Sequence, residues 1–435
     1  MLVKTAPGNR IALVDGVRTP WAKAGTVLKD LDAVTLARHA MRALLDRGGV
    51  DVELIDEVIF GCVGQPVDAQ NIARVAAIMT GIPQRVPAMT VHRNCASGFE
   101  SITTAAERIL SGRGEVYLVG GTESMSNYPL MYPQSAIEWF SEVARAKGLW
   151  AKIRAYLRIP PSTLIAMLTK PRIGVMLGLT DYSCATSMGM TAERLAVEFG
   201  ISRREQDEFA LESHRRAVAS AARITSEITP VAFSPYKEFI ATDNGPRANQ
   251  TMEALASLKP YFDRSAGTVT VGNACPITDG ACALLVTTEA RAKAEGWKVK
   301  GYLRSYAYAG LDPERMGLGP VFATAKALAG LSLGDIDLIE LNEAFAAQVL
   351  ACERAFASKI FAQRELGRTI SIGEVDRAKL NVNGGAIALG HPVGATGARL
   401  VTTLLDELAR RNAKFGLATL CIGGGQGGAL VIERE

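Results

Sequence analysis

The sequence predicts an α/β protein built from two duplicated βαβ-type halves with a less regular segment between them, and three observations lead there. Short apolar β-type runs alternate with amphipathic helical runs, which argues for βαβ units and a mainly parallel sheet. The 42 glycines among 435 residues fit many tight strand-to-helix turns. Two stretches far apart in the chain share one layout of polar apex, helix, strand and glycine turn, the mark of internal duplication.

Ile11-Ala12-Leu13-Val14 is a β-type run closed by Asp15-Gly16, and Val58-Ile59-Phe60-Gly61 is a second. Between them Leu31, Val34, Leu36, Met41, Leu44 and Leu45 recur at helical spacing. The first apex, Asn94-Cys95-Ala96-Ser97-Gly98, opens a helix with Phe99, Ile102, Ala106, Ile109 and Leu110 on its apolar face. The strand Val116-Tyr117-Leu118-Val119 follows and ends in Gly120-Gly121. The second apex, Gly390-His391-Pro392-Val393-Gly394-Ala395-Thr396-Gly397, opens a helix with Leu400, Leu404, Leu405 and Leu408. A strand over Phe415 to Leu420 follows and ends in Cys421-Ile422-Gly423-Gly424-Gly425.

Between the halves the pattern loosens. From Trp139 to Val175 seven basic residues face one acid, Glu142, and Trp139, Phe140, Leu149, Trp150, Ile153, Tyr156 and Leu157 interleave with them. This reads as a basic amphipathic helix that either lies at a membrane surface or covers its own domain. The predicted division is 1–122 with 271–297 as the first half, 123–270 as the insertion, and 298–435 as the second half.

The net charge of +4 and the absence of a Lys/Arg-rich arm argue against nucleic acid. Met1 to Gly8 lacks the apolar core of a signal peptide, and no apolar run reaches the roughly 18 residues that span a bilayer. A cytoplasmic protein, at most peripheral to a membrane, is expected. The cysteines are seven (Cys62, Cys95, Cys184, Cys275, Cys282, Cys352 and Cys421), with no Cys-x-x-Cys pair, so free thiols are expected and no metal site.

Cys95 opens a helix, where unpaired N–H groups favour a thiolate and can bring a cysteine pKa from about 8.5 into the range of roughly 3.5 to 7.5. His391, one of four histidines, is framed by Gly390, Pro392, Gly394 and Gly397 in a way that core packing does not require. Cys421 precedes glycines whose N–H groups can meet a developing oxyanion. Asn342-Glu343-Ala344-Phe345 places a polar pair after the apolar strand Leu338 to Leu341. All of these fall at strand C-termini or helix N-termini, where open α/β sheets place ligands.

Taken in order and spacing, these four loops resemble the four catalytic loops of the thiolases. The likeness extends to Val17-Arg18-Thr19-Pro20, to Gly120-Gly121-Thr122-Glu123-Ser124-Met125, and to Gly272-Asn273-Ala274 with Thr278-Asp279-Gly280. It implies the thiolase fold, with central helices between two mixed sheets and an inserted loop domain. It also implies a 3-ketoacyl-CoA thiolase, cleaving its substrate with free CoA into acetyl-CoA and a shortened acyl-CoA. Cys95 is then the nucleophile and His391 its base, and Cys421 protonates the departing carbanion and deprotonates CoA. One oxyanion hole comes from His391 with a water held by Asn342, the other from the N–H groups of Cys95 and Gly423. Coenzyme A is a co-substrate, no cofactor is tightly bound, and the positions matching CoA contacts are Met188, Arg247, Cys275 and Phe345. Cys275 departs from the serine or threonine of many relatives.

The long segment between Met125 and Ser187 resembles that of thiolase subunits of fatty-acid β-oxidation trifunctional complexes. A homodimer or homotetramer, a hydratase/dehydrogenase subunit as partner, and peripheral membrane contact through 139–175 are the matching expectations. The trifunctional subgroup often has histidine at the position of Asn342, so Asn342-Glu343-Ala344-Phe345 blurs that assignment, and the alternatives are a short-chain acetyl-CoA C-acetyltransferase and a non-catalytic acyl-CoA or lipid carrier. A ketoacyl synthase fits less well, because its Cys-His-His arrangement lacks a counterpart of Cys421.

Overall fold

The computed structural model describes residue 3, residues 9–232 and residues 239–435, so the leader reading of Met1 to Gly8 lies outside the described residues apart from Val3. The first half runs β1 (Ile11–Arg18), α1 (Ala33–Gly48), β2 (Glu57–Gly61), α2 (Ile72–Thr80), β3 (Ala88–Val91), α3 (Ser97–Leu110) and β4 (Tyr117–Ser124). The insertion follows with α4 (Gln134–Arg145), α5 (Leu149–Leu157), α6 (Pro161–Thr169), α7 (Met188–Glu198) and α8 (Arg203–Ile224). The chain then returns as β5 (Thr278–Thr288). The second half comprises β6 (Gly301–Gly310), α9 (Gly319–Ala327), β7 (Leu338–Leu341), α10 (Ala346–Ala357), α11 (Thr396–Arg411), β8 (Phe415–Ile422) and β9 (Gln426–Glu433).

Strand order makes the duplication explicit. The first half pairs as β1-β5-β4-β2-β3 and the second as β6-β9-β8-β7, with a parallel bridge from Ile339 to Leu380 standing where β3 stands in the first. Pairing of Ala12 with Tyr302 and Leu13 with Gly301 joins β1 to β6, so the two mixed sheets share one hydrogen-bonded path. The expectation of a mainly parallel sheet is corrected: among the described strands of this path, β2/β3, β2/β4 and β7/β8 pair parallel and the other neighbours antiparallel. β5 and β9 each return antiparallel between two strands of their own half.

Three apolar clusters define the layers. Helices α1 and α2 pack Leu36, Met41, Leu44 and Ile72 on the outer face of the first sheet, against Val58, Phe60 and Leu118. Helices α7 to α10 cover the outer face of the second, where Leu195, Val321 and Val349 meet Leu417 and Val431. Between the sheets lie α3 and α11, whose Phe99, Ile102, Leu400, Leu404, Leu405 and Leu408 touch inward residues of both, such as Leu13, Val119, Leu284 and Leu420. Each buried leucine there contributes about 1.5–3 kcal/mol. The two central helices cross at their second residues. A Cβ on Gly98 would lie 2.5 Å from the Ala398 nitrogen, and one on Gly397 2.5 Å from the Phe99 nitrogen. Any side chain at either glycine forces the N-termini of α3 and α11 apart.

Several local expectations are corrected. The run at Ile11–Val14 does not stop at Asp15-Gly16; a bulge there lets β1 continue to Arg18. Gly120-Gly121 lies inside β4 rather than ending it, because the turn at Gly394 rests on Gly121, with its oxygen 1.9 Å from where a Cβ would stand. Leu110 is exposed. The basic segment is three helices, not one: Gly148 (φ +87°) separates α4 from α5, and Pro160-Pro161 separates α5 from α6. Trp139 and Tyr156 hold α4 on α5 through an edge contact at 5.5 Å, while Leu149, Trp150, Leu157 and Leu168 are each more than 70% exposed.

Candidate active site

The first apex is a strained turn. Three residues after β3 comes Asn94, whose backbone is left-handed at φ +44°, and Cys95 follows, separated from α3 by the N-cap residue Ala96. Ser97 closes the turn, donating its hydroxyl to the Asn94 carbonyl at 2.7 Å and accepting from the Arg93 N–H at 2.9 Å. The Asn94 amide reaches across to the other half and donates to the Gly423 carbonyl at 2.7 Å. Gly424 (φ +89°) and Gly425 (φ +73°) make the β8–β9 turn on which Gly423 sits, so glycines are required there.

The partly buried Cys95 thiol has the N–H groups of Gly423 and of Cys95 itself against it. The expected low pKa is overturned: burial raises it, these two donors offset only part of that, and the Glu123 charge pushes the same way as burial. The resting nucleophile is therefore a thiol.

His391 is buried in the turn between Ala386–Leu389 and α11, and its N–H donates to Thr278 Oγ1 of β5 at 3.1 Å. Its Nδ1 lies 2.6 Å from Thr396 Oγ1, and that hydroxyl donates its only proton to the Pro392 carbonyl at 2.9 Å. Thr396 can then only accept from the ring, so Nδ1 carries the proton and Nε2 is the open base. Nε2 is buried and unpartnered. Burial, then the nearby Arg399 guanidinium, lowers the imidazole pKa to about 3, so it is neutral at physiological pH.

Asn342 is fully buried with both amide atoms unpartnered, an unspent donor and acceptor of the kind that a bound water or substrate oxygen satisfies. Cys421, at the end of β8, is buried and pushed well above the ordinary thiol range by desolvation, with Cys95, Cys352 and Cys275 as the next contributors. Cys275 is likewise pushed up to about 12, first by burial and then by Cys95. Three thiols are thus within electrostatic reach of one another.

Of the residues matched to CoA contacts, Met188 lies beside Gly423, its sulfur 3.3 Å from where a Cβ there would stand. Cys275 and Phe345 are adjacent, through the Cys275 N–H donating to the Ala344 carbonyl at 3.0 Å and a bridge from Ala274 to Phe345. Arg247 is exposed, on a segment whose Gly245 presses on the Ala388 carbonyl.

Sequence reasoning missed Asn94, Thr396 and Glu343. Glu343 is buried and accepts from Ser213 at 2.6 Å, Asn381 at 2.8 Å and the Ile387 N–H at 3.2 Å, which fixes the turn leading to His391. A signal for Thr396 was present: His92-Arg93-Asn94-Cys95-Ala96-Ser97-Gly98 and His391-Pro392-Val393-Gly394-Ala395-Thr396-Gly397 align residue by residue. Ser97 and Thr396 each close their own turn. His92, the counterpart of His391, is exposed.

Comparison with known proteins gives a consistent picture. The model of the thiolase N-terminal domain matches residues 11–290 and that of the thiolase C-terminal domain residues 297–434. A 3-ketoacyl-CoA thiolase of Colwellia psychrerythraea is 42% identical over 99% of this chain and 98% of its own. An acetyl-CoA acetyltransferase of Bacillus anthracis superposes with a TM-score of 0.84 at 37% identity, covering 98% of each chain. The human mitochondrial 3-ketoacyl-CoA thiolase, solved with CoA, gives a TM-score of 0.83 at 37% identity, covering 98% of this chain. With both domain models matched end to end and relatives of this identity along the whole chain, the protein belongs to the thiolase family.

Proposed function

We propose that the protein is a 3-ketoacyl-CoA thiolase, performing thiolytic cleavage in fatty-acid β-oxidation. The observation that carries the reading is His391, whose Nδ1–H is tied to Thr396 and whose Nε2 is left as an open, neutral base in the same loop cluster as the Cys95 thiol. Cys95 attacks the 3-keto carbon while Nε2 takes its proton. The oxyanion formed is met by the N–H groups of Cys95 and Gly423. The C2–C3 bond then breaks, and the acetyl-CoA enolate is held by the Nε2–H just acquired and a water on Asn342. Cys421 protonates that carbanion, leaving an acyl thioester on Cys95. Its thiolate then removes the proton of incoming CoA, which attacks the thioester, and His391 returns the proton to Cys95.

Coenzyme A is the co-substrate, with Met188, Cys275 and Phe345 beside the reacting sulfurs and Arg247 further out where the nucleotide phosphates lie. A short-chain acetyl-CoA C-acetyltransferase is the second reading, favoured by Asn342. CoA-dependent cleavage of 3-ketoacyl-CoA substrates of increasing chain length tests both: turnover of medium and long chains supports the first, acetoacetyl-CoA alone the second, and binding without turnover removes both in favour of a carrier. Thr396→Val is expected to lower kcat about tenfold or more by freeing the imidazole tautomer, while Thr396→Ser stays close to the native enzyme. Equal rates in the two variants would overturn the role of the hydroxyl.

We infer a cytoplasmic homodimer or homotetramer, with 1–122 and 271–297, 123–270 and 298–435 as its units. Support for self-association is β3, which ends the hydrogen-bonded strand order as an edge. Among the described residues no helix is long and apolar enough to cross a membrane. The exposed Leu149, Trp150, Leu157 and Leu168 beside Lys147, Lys152, Arg154 and Arg158 suit the surface of an anionic bilayer, or docking of a hydratase/dehydrogenase subunit. Co-sedimentation with phosphatidylcholine vesicles is expected only when phosphatidylserine is present, and to be lost in a Trp150→Ser, Leu157→Ser variant. Equal sedimentation of the variant would exclude this face.

A further inference from the structure

Glu123 takes no part in the chemistry above, yet it is fully buried next to it. Its Oε2 accepts from the Gly394 N–H at 2.8 Å and the Val63 N–H at 3.1 Å. Its Oε1 accepts from the Gly64 N–H and the Tyr128 hydroxyl, both at 2.8 Å, with the Cys62 thiol 3.9 Å away. All four acceptor positions of a carboxylate are thus taken, and three of the donors are backbone amides that cannot reverse direction. Gly394 is the residue that aligns with Cys95 in the duplicated motif, three positions beyond His391 and two before Thr396. A Cβ there would stand 2.6 Å from the Thr122 carbonyl and 3.0 Å from Glu123 Oε2, so the second half presents bare backbone to this carboxylate. Tyr128 covers the arrangement, its ring 1.9 Å from where a Cβ on Gly64 would stand.

We propose that Glu123 is a positioning residue of the catalytic site: its carboxylate, carried on β4 of the first half, clamps the Gly394 N–H and thereby sets the turn that presents His391 and Thr396. The inference rests on the reading of Cys95 and His391 as nucleophile and base. The same carboxylate also opposes ionisation of the Cys95 thiol, which gives the test a second readout. A neutral amide here would set an NH2 group against backbone N–H donors, so at least one clamp contact is lost.

The experiment compares the wild type with Glu123→Gln and Tyr128→Phe, measuring kcat, KM and the pH dependence of Cys95 alkylation by iodoacetamide. Glu123→Gln is expected to lower kcat by about tenfold or more while KM for the 3-ketoacyl-CoA stays within about twofold, since the loss falls on transition-state geometry. Its apparent alkylation pKa falls, because the neighbouring negative charge is gone, an effect that a purely packing role does not produce. Tyr128→Phe keeps the ring over Gly64, removes one donor, and shows a smaller fall in kcat. A folded Glu123→Gln protein with native kcat and native alkylation profile overturns the proposal. If that variant does not fold, native kcat in Tyr128→Phe overturns it. Alkylation needs no turnover, and full activity in Cys95→Ser would sink the reading of the nucleophile instead, so the two failures are told apart.

Discussion

Cys95→Ser is expected to reduce thiolytic turnover by at least about 10³-fold, with the fold and the affinity for acyl-CoA retained. The size of the effect follows from the site. The nucleophile rests as a neutral thiol and its base as a neutral imidazole, because burial raises the one and lowers the other to about 3. Attack therefore needs transfer of the sulfur proton to His391 Nε2. A serine hydroxyl is a far weaker acid than a thiol and cannot hand over its proton to so poor a base at a comparable rate. The same pairing fixes a pH signature. A thiolate–imidazolium pair would be alkylated at nearly constant rate from mildly acidic pH upward. Here the folded histidine stays neutral until about pH 3, and burial pushes the thiol above its ordinary value, so the rate of inactivation by iodoacetamide keeps rising with pH beyond the range of a free cysteine. A plateau beginning near pH 5 would mean a preformed ion pair and would contradict the neutral thiol and neutral imidazole of the resting site.

The duplicated layout and the chemistry-bearing loops were legible in the sequence for a definite reason. Each apex couples a small-residue turn to a helix whose apolar face recurs at helical spacing, and both signals are local. What was not legible depends on contacts between the halves. Gly120-Gly121 has the composition of a strand end, yet it continues β4 because the Gly394 turn needs bare backbone to lie on. Asp15-Gly16 likewise reads as a turn, yet β1 runs on and carries Gly16 against Thr402 of α11. Helix-terminus logic assigned Cys95 a depressed pKa, since it counts N–H donors and cannot count the water that the second half excludes. Asn342 was found through its loop, but its two unpartnered amide atoms emerge only from the folded interior.

Cys421→Ser is expected to cut turnover by about 10²- to 10⁴-fold while leaving Cys95 open to alkylation, because the residue exchanges protons and does not hold the acyl group. Its thiol must lose a proton to a carbanion and later regain one from CoA; burial, with Cys95, Cys352 and Cys275 nearby, raises its pKa, so it is protonated before the first event and its thiolate is a strong base for the second. A hydroxyl is too weak an acid for the first step, and its conjugate base would be too costly to generate in that setting. Mixing the variant with a 3-ketoacyl-CoA in the absence of CoA separates the roles. Loss of the acetyl-CoA burst places Cys421 in carbon–carbon cleavage as well as in CoA activation. A full, fast burst followed by a stalled acyl-enzyme would confine it to the second half-reaction. The enolate would then have to draw its proton elsewhere, and the imidazolium of His391, protonated in the preceding step and already beside the enolate oxygen, is the nearest source.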